Sequence, residues 1–335
     1  MKEASQSGKS PIDFKRDSGG SFAVGQEGDT AICMIVLNDR LLLVFANAVY
    51  EAHTADCIDP DRTDINLPNV VPQKIFDYGA DTPFISRTLL TGLALFDQTY
   101  LGQQFDKERA LSLAFEAARN LAAMTDIRKS MAEENDVVAK KIHGNSFELP
   151  ATPNLRARGE AFLRHADMTY HATKALSELF YPKKKPNDNW ADHIGDSLKS
   201  ATALHPPSKQ FLSATICKII AARNFRNAAE HPDQTKEVKF LDFALQPGLN
   251  VTWPSIELKH PQTPLSRVEL VPFMDKVIDE SVGAFEGMSA FLCDENIKLP
   301  GPFDCQVVWR GEAQVKRGPN YTYRTTLKPG VRPPE

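Results

Sequence analysis

Apolar residues recur along most of the chain at intervals of three and four, the spacing that gathers them on one face of an α-helix. The clearest repeat lies in residues 106–133. Its apolar stripe contains Leu111, Ala114, Phe115, Ala118, Leu121 and Ala122. Similar patterns predict further helices over residues 84–103, 155–179, 190–204, 208–230 and 271–294. A mainly α-helical fold is therefore expected.

The apolar stretch at residues 31–57 permits two interpretations. In the first, Asn38 and Asp39 form the turn of a hairpin between two apolar strands. In the second, Arg40 to His53 is one helix, because this segment combines good helix formers at suitable spacing. We favour the helix. Prolines, aspartates and Gly79 predict a loop over residues 58–82.

Four short runs in the second half of the chain resemble strands. They cover residues 238–246, 250–258, 306–310 and 322–327. The expected organisation is a disordered arm at residues 1–30, a helical region of unknown role at 31–150, a helical bundle at 151–300, and short strands with a tail at 301–335. The fold class is thus a helical bundle with an additional N-terminal helical region and a few short strands in the C-terminal half.

Composition and charge exclude several functional classes. The 335 residues carry a formal net charge of −4, with a pI of about 6.1, so general affinity for nucleic-acid phosphates is not expected. The five cysteines are scattered without a Cys-x-x-Cys pair, which argues against a disulfide framework and a zinc site. The sequence shows no secretory signal, no membrane-spanning run and no glycine-rich phosphate loop. We therefore expect a cytoplasmic protein without a metal or another cofactor.

The most informative pattern is a change of character along residues 208–230. Leu212, Ile216, Ile219 and Ile220 form an apolar stripe on a helical wheel. The same stripe continues as Arg223, Arg226, Asn227, Glu230 and His231. Polar groups on an inward-facing stripe need partners, because unpaired buried polar groups cost free energy. A second helix, a second subunit or a substrate could supply these partners.

These residue types suit RNA cleavage without a metal. The His231 imidazole can remove a proton from a ribose 2′-hydroxyl. The Arg226 guanidinium can hold the phosphate under attack and offset the charge that develops on it. Asn227, four residues before His231, can orient the imidazole. Arg223 suits either a second phosphate contact or a structural role, and Glu230 can position Arg226. DNA lacks the nucleophilic hydroxyl and would be spared.

The segment Arg226-Asn227-Ala228-Ala229-Glu230-His231 resembles the signature of the HEPN superfamily, which is an arginine, four to six residues and a histidine, often with asparagine after the arginine. The resemblance covers about residues 155–295. It implies a bundle of four or five helices that forms a homodimer with one composite cleft. Many members are endoribonucleases of toxin–antitoxin or antiviral systems, with RNA as substrate and an antitoxin or regulatory protein as a further partner. Others have lost activity and serve as RNA- or protein-binding modules.

Structural interpretations of the same residues stay open. Arg226 and Glu230 are four residues apart, the spacing of an ordinary surface ion pair. His231 is also favourable at a helix C-terminus for electrostatic reasons alone. His165 and His171 point away from each other on a helix, which disfavours a metal site there. Lys183, Lys184 and Lys185 are interpreted as a solvated linker.

Overall fold

The chain forms two compact units, Met1–Ser86 and Arg87–Glu335, each described here by itself. The computed structural model describes residues 10–18, 24–25, 30–37, 40–141, 149, 151–182, 189–190, 193–194, 206–247, 250–311 and 317–328. The predicted linker at Lys183–Lys185, the turn at Asn38-Asp39 and most of the predicted helix 190–204 lie outside these residues.

The first unit is built around a four-stranded antiparallel sheet in the order β1-β2-β3-β4. Its elements are α1 (Pro11–Asp17), β1 (Cys33–Leu37), β2 (Arg40–Val44), β3 (Val49–Thr54), α2 (Ala55–Ile58), β4 (Val70–Phe76) and α3 (Pro83–Ile85). Helix α1 occupies part of the predicted disordered arm. Gly79 lies against the backbone of Phe45 and Ala48, where a Cβ atom would collide. The turn after β4 therefore depends on glycine.

The predicted mainly α-helical fold is wrong. Helices account for 52% of the described residues and strands for 21%, so the protein is mixed α/β. The largest error is the predicted helix from Arg40 to His53, which forms strands β2 and β3 within the region 31–150 that was expected to be helical. Leu42 and Leu43 are buried although they point to opposite faces of β2. A strand buried on both faces reads as a continuous apolar run, which periodicity cannot distinguish from a helix.

The second unit contains four long helices close to their predicted positions. They are α6 (Lys107–Lys141), α7 (Leu155–Phe180), α8 (Pro206–Glu230) and α9 (Leu270–Glu295). The predicted helix 84–103 is divided into shorter pieces. These are a π-helical turn (Ser86–Leu90), which begins at the last residue of the first unit, and the helices α4 (Thr91–Leu95) and α5 (Gln98–Leu101).

Helix α7 lies at the centre of the helical layer and packs against α6, α8 and α9. Phe162 on α7 and Phe285 on α9 are almost fully buried in this core. Gly287 lets α9 approach α8, because a Cβ atom at this position would overlap the ring of Phe211. The glycine therefore fixes the packing of the helix that carries the candidate site.

Three small antiparallel sheets accompany these helices. Their strands are β5 (Glu237–Leu241), β6 (Ala244–Gln246), β7 (Asn250–Thr252), β8 (Ser255–Lys259), β9 (Leu265–Glu269), β10 (Phe303–Trp309) and β11 (Tyr321–Leu327). The pairings are β5-β8-β9, β6-β7 and β10-β11. All of these strands except β9 overlap one of the four predicted strand runs, and β9 was not predicted. The sheet β5-β8-β9 leads directly from α8 into α9.

Candidate functional site

The predicted motif forms the last turn of α8 and the residue after it. Arg226, Asn227 and Glu230 are partly buried, whereas Arg223 and His231 are exposed. The His231 backbone amide donates to the Asn227 carbonyl at 2.9 Å, so the helical hydrogen-bond pattern includes the histidine. Pro232 follows and prevents another turn. His231 thus projects from the helix end into solvent.

Ion pairs connect this turn to α7. The Arg226 Nε atom lies 3.2 Å from Glu230 Oε2 and 3.5 Å from Asp167 Oδ2. Glu230 also accepts a hydrogen bond from Arg164 Nε at 3.1 Å through its other oxygen. Because Arg164 pairs with residue 230 and Asp167 with residue 226, α7 and α8 run antiparallel here. Both helices therefore contribute to one group of charges.

Asp167 is the most deeply buried member of this group. Its side chain is 6% exposed, and besides Arg226 it lies 3.6 Å from the Nε2 atom of His171, one turn further along α7. The His171 side chain is half exposed. A buried carboxylate needs compensating charge, and Arg226 supplies it. We refer to Arg164, Asp167, His171, Arg226, Asn227 and Glu230 as the α7–α8 polar cluster.

Asn227 is engaged by its neighbour. Its side-chain oxygen accepts a hydrogen bond from Arg226 Nη1 at 2.8 Å. Within the described residues, the His231 ring makes no hydrogen bond or ion pair. The proposed orientation of His231 by Asn227 stays a prediction. The structure brings Arg226, Asn227 and Glu230 together and leaves Arg223 and His231 open to solvent.

The two histidines of α7 point to different partners. His165 Nδ1 lies 2.9 Å from the side-chain oxygen of Asn120 on α6, whereas His171 faces Asp167. Burial, followed by the positive charge of Arg164, lowers the pKa of His165. His165 is therefore neutral at pH 7 and stands outside the polar cluster. Within the described residues, no group of three or more histidine, cysteine, aspartate or glutamate side chains has the arrangement of a metal site.

Helix α7 contributes residues to the cluster that the sequence-based prediction did not include. Asp167 interrupts the apolar stripe of α7 and stands four residues before His171, a spacing that places both side chains on one face. These signals indicate a polar face on α7. They do not identify Arg226 as its partner, because that assignment needs the register between the two helices.

The protein matches no family model, no curated protein and no solved structure in the comparisons made. Among the described residues, every helix is either too short or too polar to cross the hydrocarbon core of a bilayer.

Proposed function

We propose that the chain is a metal-independent endoribonuclease of the HEPN type that acts in the cytoplasm as a homodimer, in a toxin–antitoxin or antiviral defence system. The exposure of His231 and the partial exposure of Arg226 at the same end of α8 carry the proposal. The His231 side chain is accessible at the end of α8, and the Arg226 side chain, five residues earlier, is 35% exposed. An accessible base and an accessible phosphate-binding group are the minimum for this chemistry.

The reaction assigns one task to each residue. The neutral imidazole of His231 removes the proton of a ribose 2′-hydroxyl, and the 2′-oxygen attacks the adjacent phosphorus. The bond from phosphorus to the 5′-oxygen breaks, and the departing oxygen takes up a proton from water. The products are a 2′,3′-cyclic phosphate and a 5′-hydroxyl. Arg226 binds the phosphate oxygens and stabilises the charge of the transition state.

The carboxylates around Arg226 favour an alternative, a catalytically inactive HEPN-like module that binds RNA or a protein partner. Asp167 and Glu230 both lie near the Arg226 Nε atom and oppose the approach of a phosphate. In the inactive module these ion pairs only lock α8 onto α7. In the enzyme they orient the guanidinium, and its outer nitrogens meet the phosphate.

The decisive experiment is an RNA cleavage assay in EDTA with the wild type and His231→Ala. Mixed cellular RNA is the substrate, and the fragment ends are tested for 2′,3′-cyclic phosphate. We expect the wild type to cleave and His231→Ala to lose at least about 100-fold in rate, since a general base contributes this much or more. The unfolding midpoint should stay unchanged, because His231 is exposed at a helix end.

A matched control is His53→Ala, which removes a partly exposed histidine from β3 in the first unit. This variant should cleave like the wild type. Full activity of His231→Ala would contradict the assignment of the base. Absence of cleavage by every protein, together with binding of the same RNA, would favour the inactive module. Sedimentation equilibrium tests the homodimer, and a monomer at all concentrations would contradict the composite cleft.

A further inference from the structure

A second feature of the helical layer is an apolar cavity of about 190 Å³ between α7, α8 and α9. Its lining includes Leu163, Ala166, Ala222, Phe225, Phe273 and Val277. The rings of Phe225 and Phe273 stack there with their centroids 5.6 Å apart. The residues of α8 that line the cavity lie, on average, about 90° away from Arg226 around the helix axis, since each residue advances by about 100°. The cavity and the α7–α8 polar cluster therefore occupy different flanks of α8.

The size of the cavity suits a small organic molecule. An empty apolar cavity of about 150 Å³ stays free of water and binds benzene. By that measure, about 190 Å³ accommodates an apolar body of roughly seven or eight non-hydrogen atoms. Apolar surface that faces an unfilled space forfeits dispersion contacts. An occupant would restore those contacts.

The charged side chains of Lys218, Lys276 and Glu280 line the cavity, and the sum of their charges is one positive charge. Lys218 Nζ lies 3.6 Å from Glu280 Oε1, so these two charges compensate each other. Lys276 is exposed and forms no ion pair with another described residue. The lining therefore carries one uncompensated positive charge beside an apolar interior.

The remaining polar group is the Tyr170 hydroxyl. Burial raises the pKa of Tyr170 to about 12, so the phenol is neutral at physiological pH. The hydroxyl interacts with Ser281 of α9, so the interior presents no unpartnered polar group of Tyr170. A ligand needs an apolar body and needs a polar group only at its Lys276 end.

We propose that this cavity binds a small amphipathic carboxylate, with its hydrocarbon body between Phe225, Phe273 and Val277 and its carboxylate paired with Lys276. Charge complementarity selects an anion over a neutral or cationic head group. The cavity volume selects a short chain or a single ring over a long-chain lipid. This proposal does not depend on the RNA-cleaving function.

Titration calorimetry with a matched set of ligands tests the proposal. Octanoate, octanamide and octylamine share one alkyl chain and differ in the charge of the head group. We expect octanoate to bind about five-fold more tightly than octanamide, the effect of one partly exposed ion pair, and octylamine to bind least. Lys276→Gln should bring the octanoate affinity down to that of octanamide. The control Lys209→Gln, at an exposed position of α8 away from the cavity, should keep the preference.

Two further variants locate the ligand. Val277→Trp and the milder Ala222→Leu both reduce the cavity volume and should abolish or weaken octanoate binding, while circular dichroism verifies the fold. Equal affinity for octanoate and octanamide would overturn the recognition of a carboxylate. Undiminished octanoate binding by both folded variants, or no binding of any of the three ligands at millimolar concentration, would overturn the site itself.

Discussion

Arg62 in the first unit and Arg226 in the second are both surrounded by carboxylates, and they are exposed to a similar extent, 27% and 35%. Arg62 nonetheless directs all three of its nitrogens to carboxylates. Nη1 donates to Asp13 at 2.9 Å and Asp17 at 3.0 Å, whereas Nε and Nη2 both donate to Asp56. Arg226 has ion pairs of 3.2 Å and 3.5 Å on Nε and an amide partner on Nη1, and its Nη2 makes no hydrogen bond to another described residue.

Exposure alone therefore does not separate a structural arginine from one that can bind a ligand. A guanidinium has five N–H donors, and its free donors determine whether it can accept a phosphate. Arg62 also adopts a positive φ of 53°, which is unfavourable for a side chain of its size. Its ion pairs hold the backbone in this conformation. The cluster of Arg62 with Asp13, Asp17 and Asp56 is closed, because every side-chain nitrogen of Arg62 has a carboxylate partner. The α7–α8 polar cluster is open on one side, because Arg226 Nη2 makes no hydrogen bond to another described residue.

The largest change in the rate of RNA cleavage is expected for the variant Arg226→Ala. Loss of the phosphate ligand should reduce the rate of RNA cleavage by about 100- to 1,000-fold, as loss of one transition-state donor does in other enzymes. The unfolding midpoint should fall by several degrees as well, because the buried Asp167 carboxylate loses the charge that compensates it. Cleavage kinetics and calorimetry measure the two effects.

Arg109→Ala is the control for Arg226→Ala. Arg109 is exposed and ion-paired with Glu116 on α6, so its removal should leave cleavage unchanged. Wild-type rates in Arg226→Ala would remove the basis for the comparison with Arg62.

The second variant separates stability from cleavage. Arg62→Ala should leave RNA cleavage intact and lower the unfolding midpoint of the first unit by several degrees, because three carboxylates lose their common partner. Raising the salt concentration should reduce the difference from the wild type, since exposed charges are screened. Calorimetry at low and high salt measures both effects. Arg40→Ala, which removes a weaker pair to Glu51 at 3.9 Å, should shift the midpoint less. An unchanged midpoint in Arg62→Ala would show that the closed cluster has no structural role.

A smaller effect concerns the acid stability of the first unit at Asp59, which pairs with Arg16 rather than with Arg62. Hydrogen bonds from the backbone amides of Asp64 and Thr63 lower the pKa of Asp59 to about 2. The folded pKa lies below the unfolded value, so this stabilisation is present above about pH 4 and is lost as the pH falls towards 2. Asp59→Asn should therefore show a weaker loss of stability between pH 4 and pH 2 than the wild type.

Unfolding midpoints measured across this pH range test the acid effect. Asp61→Asn, an exposed neighbour, should follow the wild-type curve. A slope for Asp59→Asn that equals the wild-type slope would contradict the role of Asp59.

The smallest effect is expected for Arg164, at the edge of the α7–α8 polar cluster. Arg164 is 59% exposed and pairs only with Glu230 in the cluster. Arg164→Ala should change the free energy of unfolding by at most about 0.5 kcal/mol and the cleavage rate by less than about three-fold. Chemical denaturation and the cleavage assay measure these changes. A loss as large as that of Arg226→Ala would mean that Arg164 itself binds the RNA.

The long helices of the second unit were predictable from the sequence, because period and length agreed over many turns. Helix α6, for example, follows the stripe through Leu111 and Leu121. The sheet of the first unit was not predictable in this way. Burial on both faces of β2 removes the alternation that identifies a strand, so tertiary packing decided the conformation.

The candidate site was predictable only in part. The helical wheel placed Arg226, Asn227 and Glu230 on one stripe, and the structure brings these residues together. Their partners Asp167 and Arg164 lie about 60 residues earlier, on a helix whose register against α8 depends on packing throughout the layer. The sequence shows which chemical groups each helix carries, but it does not show how the two helices are aligned with each other.

The position of α8 also depends on Gly287 of α9, which has no Cβ atom. Phe211 rests on Gly287 near the start of α8, and Arg226 lies fifteen residues further along, about 22 Å away at 1.5 Å per residue. A small rotation of α8 around this contact therefore produces a larger displacement at its far end. A tilt of about 5° around this contact would move the far end by about 2 Å. An alanine at position 287 could thus misalign the guanidinium without touching it, which makes a residue far from the proposed chemistry a determinant of its geometry.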